Sequence, residues 1–314
     1  MCKNRLKTLT MSTISKQNQI VEIANQDSRL TAYVELTKLR ISVMVLVTFV
    51  VAAVLAAGGT ISIPVLLSAM VGMLAIAASG NAMNMYVERY SDFLMKRTQH
   101  RPLPDQRLSA TEVATFGAIS FGIGVAFLFT AVNWQTAVCG IGNWILYVFI
   151  YTPMKRRTWL NTEVGAIAGA MPVIMGCLAA TASVNLVGWS LFAVLVLWQF
   201  PHFMAIAWMY RDDYRKGGLQ MLTVVDPTGR RAGRKAIATA VLIMIVGLIP
   251  VLTFPTPVHG VIFAILATAL GGWYLKASID FARELTDGIA RKLLRVSLVY
   301  LPCYMLILLI TSLV

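Results

Sequence analysis

The sequence predicts an all-α, polytopic membrane protein in which nine transmembrane helices surround a central cavity. Of its 314 residues, 58% are hydrophobic and only 13% are charged, whereas soluble domains carry about 25% charged residues. Nine apolar segments approach the length of about 20 residues that a helix needs to cross a bilayer. They cover residues 40–59, 62–86, 112–132, 134–152, 163–182, 186–208, 236–254, 258–275 and 293–313.

The basic residues alternate between the two ends of these segments. All 27 lysines and arginines fall within residues 1–40, 89–107, 155–157, 211–235 and 276–295. These regions precede the first segment or follow every second one, and positive charge favours the cytoplasmic side. We therefore expect a cytoplasmic N-terminus and an external C-terminus. This rule also accounts for the net charge of +13, so we expect no nucleic-acid partner. The partner that surrounds the protein is expected to be the lipid bilayer.

The chain divides into two parts. Residues 1–38 are polar and predict a cytoplasmic arm, and residues 39–314 form the transmembrane domain. Acidic residues in the arm argue against a mitochondrial presequence, so we expect the bacterial inner membrane ahead of the mitochondrial inner membrane. The two longest cytoplasmic connections, roughly 87–111 and 209–235, indicate a function, because compact proteins seldom keep long loops without one.

A stripe of oxygen donors ends the second segment, in the sequence NMYVERYSDFLMKRTQHRPLP. Asn84, Glu88 and Asp92 follow at four-residue spacing, which places them within about 80° of arc on one helix face. Carboxylates at a membrane edge are costly and are usually functional. Mg²⁺ takes one or two carboxylates and completes its shell with water and phosphate oxygens. The alternative is a solvated helix end whose charges reach the membrane surface.

Basic residues follow the acids at once. Lys96, Arg97 and Arg101 lie within the same stretch. Positioned cations beside a metal site suit a diphosphate, whose charge grows as it leaves. Taken alone, the three residues are equally typical of the cytoplasmic ends of membrane helices.

A second polar cluster ends the sixth segment, in WQFPHFMAIAWMYRDDYRKGGLQMLTVVD. Asp212 and Asp213 are flanked by bases that include Arg215 and Lys216, which predicts a second acidic rim; a capped, charged helix end is the alternative. His202 is the only histidine in the interior of an apolar segment, since His259 stands at the outer end of its segment, and His202 is either a packing residue or an iron ligand or proton carrier.

The three motifs resemble those of the UbiA-type intramembrane prenyltransferases, and in particular the branch that acts on haem. The first is the acidic stripe with MKRT and RPL behind it, the second is YTPMKRRTWLNTE, and the third contains PHF and YRDDYRKGG. The resemblance spans roughly residues 33–313. It implies that farnesyl diphosphate is ionised with the help of Mg²⁺ and that the farnesyl cation alkylates a vinyl group of haem b, giving haem O.

The motifs and the resemblance together assign the site residues. Catalytic roles fall to Asn84, Glu88, Asp92, Lys155, Asp212 and Asp213. Substrate binding falls to Lys96, Arg97, Arg101, His202, Arg215 and Lys216. Metal binding falls to Asn84, Glu88, Asp92 and Asp213. Glu88 stands where the family more often has Asp, and Gly217 stands where quinone-type relatives have an acid.

Two other functions stay open. One is a prenyltransferase for an aromatic quinone precursor, which differs in its acceptor and which the PHF and MKRT sequences disfavour. The other is a transporter of a lipid or an anion. Against transport, the charged clusters lie at one membrane face, whereas transport sites lie near the midplane. Haem A synthase, which would consume haem O, is a candidate partner.

Overall fold

The computed structural model describes residues 29–313, and within that range every regular element is a helix. Nine of the described helices are long and apolar enough to cross a membrane. They are α1 (Arg29–Ala56), α2 (Ile63–Leu94), α3 (Ala110–Ala131), α4 (Trp134–Met154), α5 (Asn161–Thr181), α6 (Leu186–Met209), α7 (Arg230–Thr253), α8 (Pro257–Arg283) and α9 (Asp287–Leu313). The predicted all-α, multi-pass architecture is confirmed. Most of the predicted arm, residues 1–28, lies outside the described residues.

Several helices run beyond the apolar segments that predict them. α2 continues to Leu94 instead of ending near residue 86, and α7 begins at Arg230 rather than at residue 236. Apolar windows mark only the part of a helix that meets lipid, whereas its backbone hydrogen bonds continue through charged residues that find partners or water. The predicted connection 87–111 therefore shortens to residues 95–109.

The second long connection is partly helical. Between α6 and α7, the chain forms two short helices, Arg211–Lys216 and Leu222–Val225. Thr223 Oγ1 donates a hydrogen bond of 2.7 Å to the carbonyl oxygen of Ala207, and Tyr214 is buried. These contacts fold the connection back against the end of α6.

Two apolar cores hold the helices together. The larger lies mainly between α5, α6, α7, α8 and α9 and contains the stacked rings of Tyr274 and Tyr300. The smaller lies between α1, α2, α3, α4 and α5 and contains Phe49 and Met175. α5 contributes to both cores, and 61% of its most apolar window is buried. This helix therefore joins the two halves of the bundle.

Three glycines of α5 leave space into which groups of three neighbouring helices pack. Gly165 faces the ring of Tyr151 in α4, and Gly169 faces the amide of Gln199 in α6. The closest approach to another backbone is at Gly176, against the carbonyl oxygen of Phe49 in α1. Gly165 and Gly169, which form a GxxxG pair, thus make room for two side chains, and the tight backbone contact at Gly176 lies about two turns beyond Gly169.

Candidate active site

The predicted acidic stripe lies on a buried face of α2. Asn84, Glu88 and Asp92 are all buried, near the end of the helix that faces the connection 95–109. The helix continues to Leu94, so all three residues keep the regular spacing that aligns them. Burying two carboxylates is costly unless opposite charges accompany them.

Two bases from other parts of the chain pair with these carboxylates. Lys155, at the end of α4, places Nζ 2.7 Å from Glu88 Oε1. Arg101, in the connection after α2, places Nη1 2.6 Å from Asp92 Oδ2 and 3.9 Å from Glu88 Oε2. The side chains of Glu88 and Asp92 are only 7% and 1% exposed, so these pairs are poorly screened by water.

A third base, Lys38, contacts the side-chain amide of Asn84. Lys38 of α1 donates from Nζ to Asn84 Oδ1 over 2.9 Å. On its other side, Asn84 donates from Nδ2 to Thr152 Oγ1 over 3.1 Å. Asn84 therefore links α1, α2 and α4, and its oxygen faces a cation.

An irregular turn of α4 supports Lys155. Residues Leu146–Tyr151 are π-helical, a distortion that is frequent at functional sites. The ammonium group of Lys155 lies 4.6 Å from the ring centroid of Tyr151, and Tyr147 packs 5.4 Å from the same ring. Burial opposes the positive charge of Lys155, but Glu88, Tyr151 and Tyr147 together outweigh it and raise the pKa of the amine above its usual range. Lys155 is therefore a fixed cation.

The connection after α2 is anchored beside the acids. Thr98 is buried and donates to the carbonyl oxygen of Asp92 over 3.0 Å. Further along, Arg107 makes two hydrogen bonds to the carboxylate of Glu35 in α1, of 3.0 and 2.6 Å. Both ends of this connection are therefore fixed, and Arg101 is held between them.

The second connection meets the first. The backbone N–H of Arg97 donates to Asp213 Oδ2 over 3.3 Å, and its guanidinium group lies over the rings of Tyr210 and Tyr214. The N–H of Gln220 donates to the carbonyl oxygen of Lys155 over 2.6 Å. The three motifs found in the sequence are thus neighbours in space.

The structure separates the other predicted residues from the buried ion pairs. Asp212 is exposed and pairs with Arg215 over 2.9 Å, and Asp213 accepts from the N–H of Arg97. Lys96 and Lys216 are exposed. Among the described residues, no three Asp, Glu, His or Cys side chains come together as a metal site. The second acidic rim is therefore adjacent to the buried carboxylates without completing a ligand set with them.

His202 lies between α6 and the helices that follow. Its Nδ1 is 2.8 Å from Ser297 Oγ of α9, and its ring stacks on Trp198 with centroids 4.9 Å apart. Trp198 in turn donates to the carbonyl oxygen of Ser297 and accepts from Tyr274. His202 is held in a defined orientation, and none of its contacts is with the acidic stripe.

Comparisons with known proteins agree with the motifs. Residues 45–301 match the UbiA prenyltransferase family. The chain belongs to that family. A protoheme IX farnesyltransferase of Rhodopirellula baltica is 41% identical over 87% of this chain and 97% of that protein. One from Solibacter usitatus is 42% identical over 76% and 80%. The mitochondrial protein of that name from Arabidopsis thaliana is 35% identical over 87% and 63%.

Solved structures share the fold. A digeranylgeranylglyceryl phosphate synthase aligns with a TM-score of 0.75 at 16% identity, over 91% of this chain and 99% of that one. A UbiA homologue from Archaeoglobus fulgidus, bound to GPP and Mg²⁺, aligns with a TM-score of 0.65 at 16% identity, over 88% and 99%. The membrane prenyltransferase fold of this family therefore extends over nearly all of the described residues.

Some residues of this prenyltransferase site were not predicted from the sequence. The sequence assigns Lys38 to the polar arm, and Tyr151 and Thr152 to an apolar segment. A local signal does mark Tyr151, because the spacing of Tyr151 and Lys155 puts both residues on one helix face. No local signal marks Lys38, whose position depends on how α1 packs against α2.

The side-chain oxygens of Asn84, Glu88 and Asp92 are suitable ligands for a magnesium ion. Asp92 Oδ1 is buried and has no hydrogen-bond partner among the described residues, and the same holds for Ser91 Oγ beside it. An unpaired, buried carboxylate oxygen is costly and suits a cation ligand. Two carboxylates and an amide oxygen supply hard donors, and Mg²⁺ characteristically takes its remaining ligands from water and substrate phosphate.

Proposed function

We propose that the protein transfers the farnesyl group of farnesyl diphosphate to a vinyl group of haem b, giving haem O. The observation that carries this proposal is the enclosed cluster of Glu88 and Asp92 with Lys155 and Arg101, at the edge of a membrane bundle. Such a site suits a substrate with a charged head and a long apolar tail. Support for the acceptor comes from the relatives, which are named protoheme IX farnesyltransferases.

The metal in this proposal is Mg²⁺, held by Asn84, Glu88 and Asp92. When bound, Mg²⁺ would offset the negative charge that grows on the diphosphate as it leaves. The homologue bound to GPP and Mg²⁺ supports this assignment. Asp213 is the fourth proposed ligand; its Oδ2 accepts from the N–H of Arg97, so Oδ1 is the oxygen left to take that role.

The bases act on the diphosphate. As its bond to the farnesyl carbon breaks, the electron pair stays on the diphosphate oxygen, and the added charge strengthens the ion pairs to Lys155 and Arg101. Arg binds phosphate oxygens through a planar fork and Lys as a point charge. Lys96, Arg97, Arg215 and Lys216 lie at the outer rim in this proposal, together with Asp212, where they attract the anionic head during binding.

The acceptor side is assigned to His202. The allylic cation is attacked by the vinyl π bond of haem, and a water molecule adds a hydroxyl group to the resulting cation and releases a proton. His202 is oriented by Ser297 and Trp198, on helices other than the one that carries the acidic stripe. From there it would position the porphyrin rather than the diphosphate.

The orientation of the chain and the identity of its membrane are also part of the proposal. The alternation of basic regions supports a cytoplasmic N-terminus, with residues 1–38 as a cytoplasmic arm and residues 39–314 as the transmembrane domain. The proposed location is a bacterial inner membrane. Haem A synthase is the proposed consumer of the product.

The test is the chemistry of extracted haem. The chain is expressed in cells that make haem b but no haem O, and the haem is analysed by liquid chromatography and mass spectrometry. We expect a species heavier than haem b by one farnesyl group and one hydroxyl group, absent with Asp92→Asn. Prenylated quinone precursors without modified haem would support the quinone function instead. No prenylated product of either kind would refute the proposal.

A further inference from the structure

Lys38 is the one cation of the site that comes from α1. Its Nζ lies 2.9 Å from Asn84 Oδ1, and Glu88, Asp92, Arg101 and Lys155 are the charges near it. None of the three sequence motifs contains it. Its ammonium group pairs with an amide here, whereas Arg101 and Lys155 pair with carboxylates.

The backbone at Lys38 has a left-handed conformation and is held in place by hydrogen bonds to the preceding residue. Lys38 adopts a left-handed conformation, with φ 49° and ψ 53°, in the middle of α1. A residue with a side chain adopts this region at a cost, and such strain concentrates at functional sites. The preceding carbonyl oxygen, of Thr37, accepts from Asn81 Nδ2 over 3.0 Å and from Ser42 Oγ over 2.7 Å. Asn81 and Ser42 are buried, so this turn is tied directly to α2.

The charges of the cluster do not balance. Arg101 and Lys155 already pair with Glu88 and Asp92, one base for each carboxylate, and a protonated Lys38 adds a further positive charge. A divalent cation alone would enter a site with no net negative charge, and it would meet the amine of Lys38 on one of its own proposed ligand atoms. A diphosphate arriving with the metal removes both difficulties, because it brings about three negative charges near neutral pH.

We propose that Lys38 and the metal compete for Asn84 Oδ1, and that Lys38 becomes a third cation on the diphosphate when the metal takes that oxygen. This inference rests on the proposed function. Two cations bonded to one oxygen would lie close enough to repel strongly in a poorly hydrated site. The four-carbon stem of Lys allows its ammonium to move to a phosphate oxygen while the backbone stays in place. Metal binding and diphosphate binding are coupled in this way through one side chain.

The coupling predicts that loss of the Lys38 charge changes metal affinity and diphosphate affinity in opposite directions. Lys38→Met removes the charge and nearly keeps the length of the side chain. We expect Mn²⁺ alone, which favours the same oxygen ligands as Mg²⁺, to bind the variant several-fold more tightly. We expect farnesyl thiodiphosphate, a slowly reacting analogue, to bind about tenfold or more weakly in the presence of Mg²⁺, because a hydrogen bond to a charged group is lost. Farnesol, which lacks the diphosphate, should bind equally to both.

The measurement uses the full chain in lipid nanodiscs. Free Mn²⁺ is followed by electron paramagnetic resonance, and thiodiphosphate binding by titration calorimetry. Lys38→Arg should recover part of the thiodiphosphate affinity, and Lys38→Gln should repeat the result of Lys38→Met. The matched control is Lys276→Met, since Lys276 is an exposed lysine that pairs with Asp280 on α8; it should change neither affinity.

The outcomes separate the two proposals. An unchanged thiodiphosphate affinity in Lys38→Met would overturn this inference. So would a parallel loss of Mn²⁺ and thiodiphosphate binding in both neutral variants, because it would make Lys38 a structural clamp. If the wild-type protein binds no thiodiphosphate with Mg²⁺ at all, the proposed function itself fails.

Discussion

Replacing Gly165 by alanine should impair the active site, although Gly165 is not one of the proposed site residues. A Cβ at this position would lie 2.5 Å from Cε2 of Tyr151 and 3.0 Å from its Cζ. Carbon atoms pack best about 3.5–4.0 Å apart, so the ring would have to retreat by about 1 Å. The Tyr151 ring supports the ammonium group of Lys155, which in turn pairs with Glu88 over 2.7 Å. Gly165→Ala therefore displaces the ring beside Lys155, the cation proposed to bind the diphosphate.

The expected effect follows from that displacement. Overpacking of this kind costs about 1–3 kcal/mol of stability, which leaves most proteins folded. A shift of about 1 Å in a group that positions substrate costs up to about 10²-fold in rate. We expect Gly165→Ala to lower the rate of haem O formation by ten- to a hundredfold, while the protein still assembles in the membrane.

A second glycine of the same helix provides the control. Gly169→Ala would crowd the amide of Gln199, which donates to the carbonyl oxygens of Ala166 and Leu195 and has no contact with the ion pairs. Thermal unfolding and haem O formation, normalised to protein level, are measured for both variants. Similar losses of stability with a much larger loss of rate in Gly165→Ala are expected. Wild-type rates in Gly165→Ala, or equal rate losses in the two variants, would refute the reasoning.

Three further predictions follow from the same geometry. Asp92→Ala should lower turnover by about 10²–10³-fold, the usual cost of a lost transition-state contact; activity that survives both this change and chelation of Mg²⁺ would contradict the metal assignment. Arg101→Lys should lose about tenfold in rate while the exposed Arg97→Lys loses less, as membrane assays of haem O will show; the reverse order would contradict the ion-pair geometry. His202→Ala should raise the apparent KM for haem more than that for farnesyl diphosphate, and a change confined to farnesyl diphosphate would return His202 to a packing role. 

The sequence could predict the helices because each depends on a local pattern. Nine apolar windows gave nine membrane helices, and the four-residue spacing placed Asn84, Glu88 and Asp92 on one face. The ends of the helices were less predictable. α2 continues eight residues past its apolar window, because its last two turns find cations instead of lipid. Hydropathy reports the solvent around a helix and not the hydrogen bonds within it.

Two of the three pairings could not be read from local patterns. Lys38 and Lys155 come from distant parts of the chain and meet Asn84 and Glu88 only through the packing of α1, α2 and α4, whereas Arg101 follows Asp92 by nine residues in the same motif. The π-helical turn before Lys155 contains Tyr151, whose ring fills the space that Gly165 leaves open in α5. Long-range contacts such as these carry no periodic signal in the sequence.

The positive-inside pattern shows where this limit lies. By sequence, Lys96 and Arg101 are equivalent: both are bases in the connection after α2, and either could simply mark the cytoplasmic side. In the structure, Lys96 is exposed, whereas Arg101 lies between two buried carboxylates. An exposed base is worth little beyond its effect on orientation, but removing a base from a buried pair leaves an uncompensated charge. One topological rule therefore covers two kinds of residue. Burial against the acids separates the bases expected to bind the diphosphate directly from those expected only to attract it or to set the orientation of the chain.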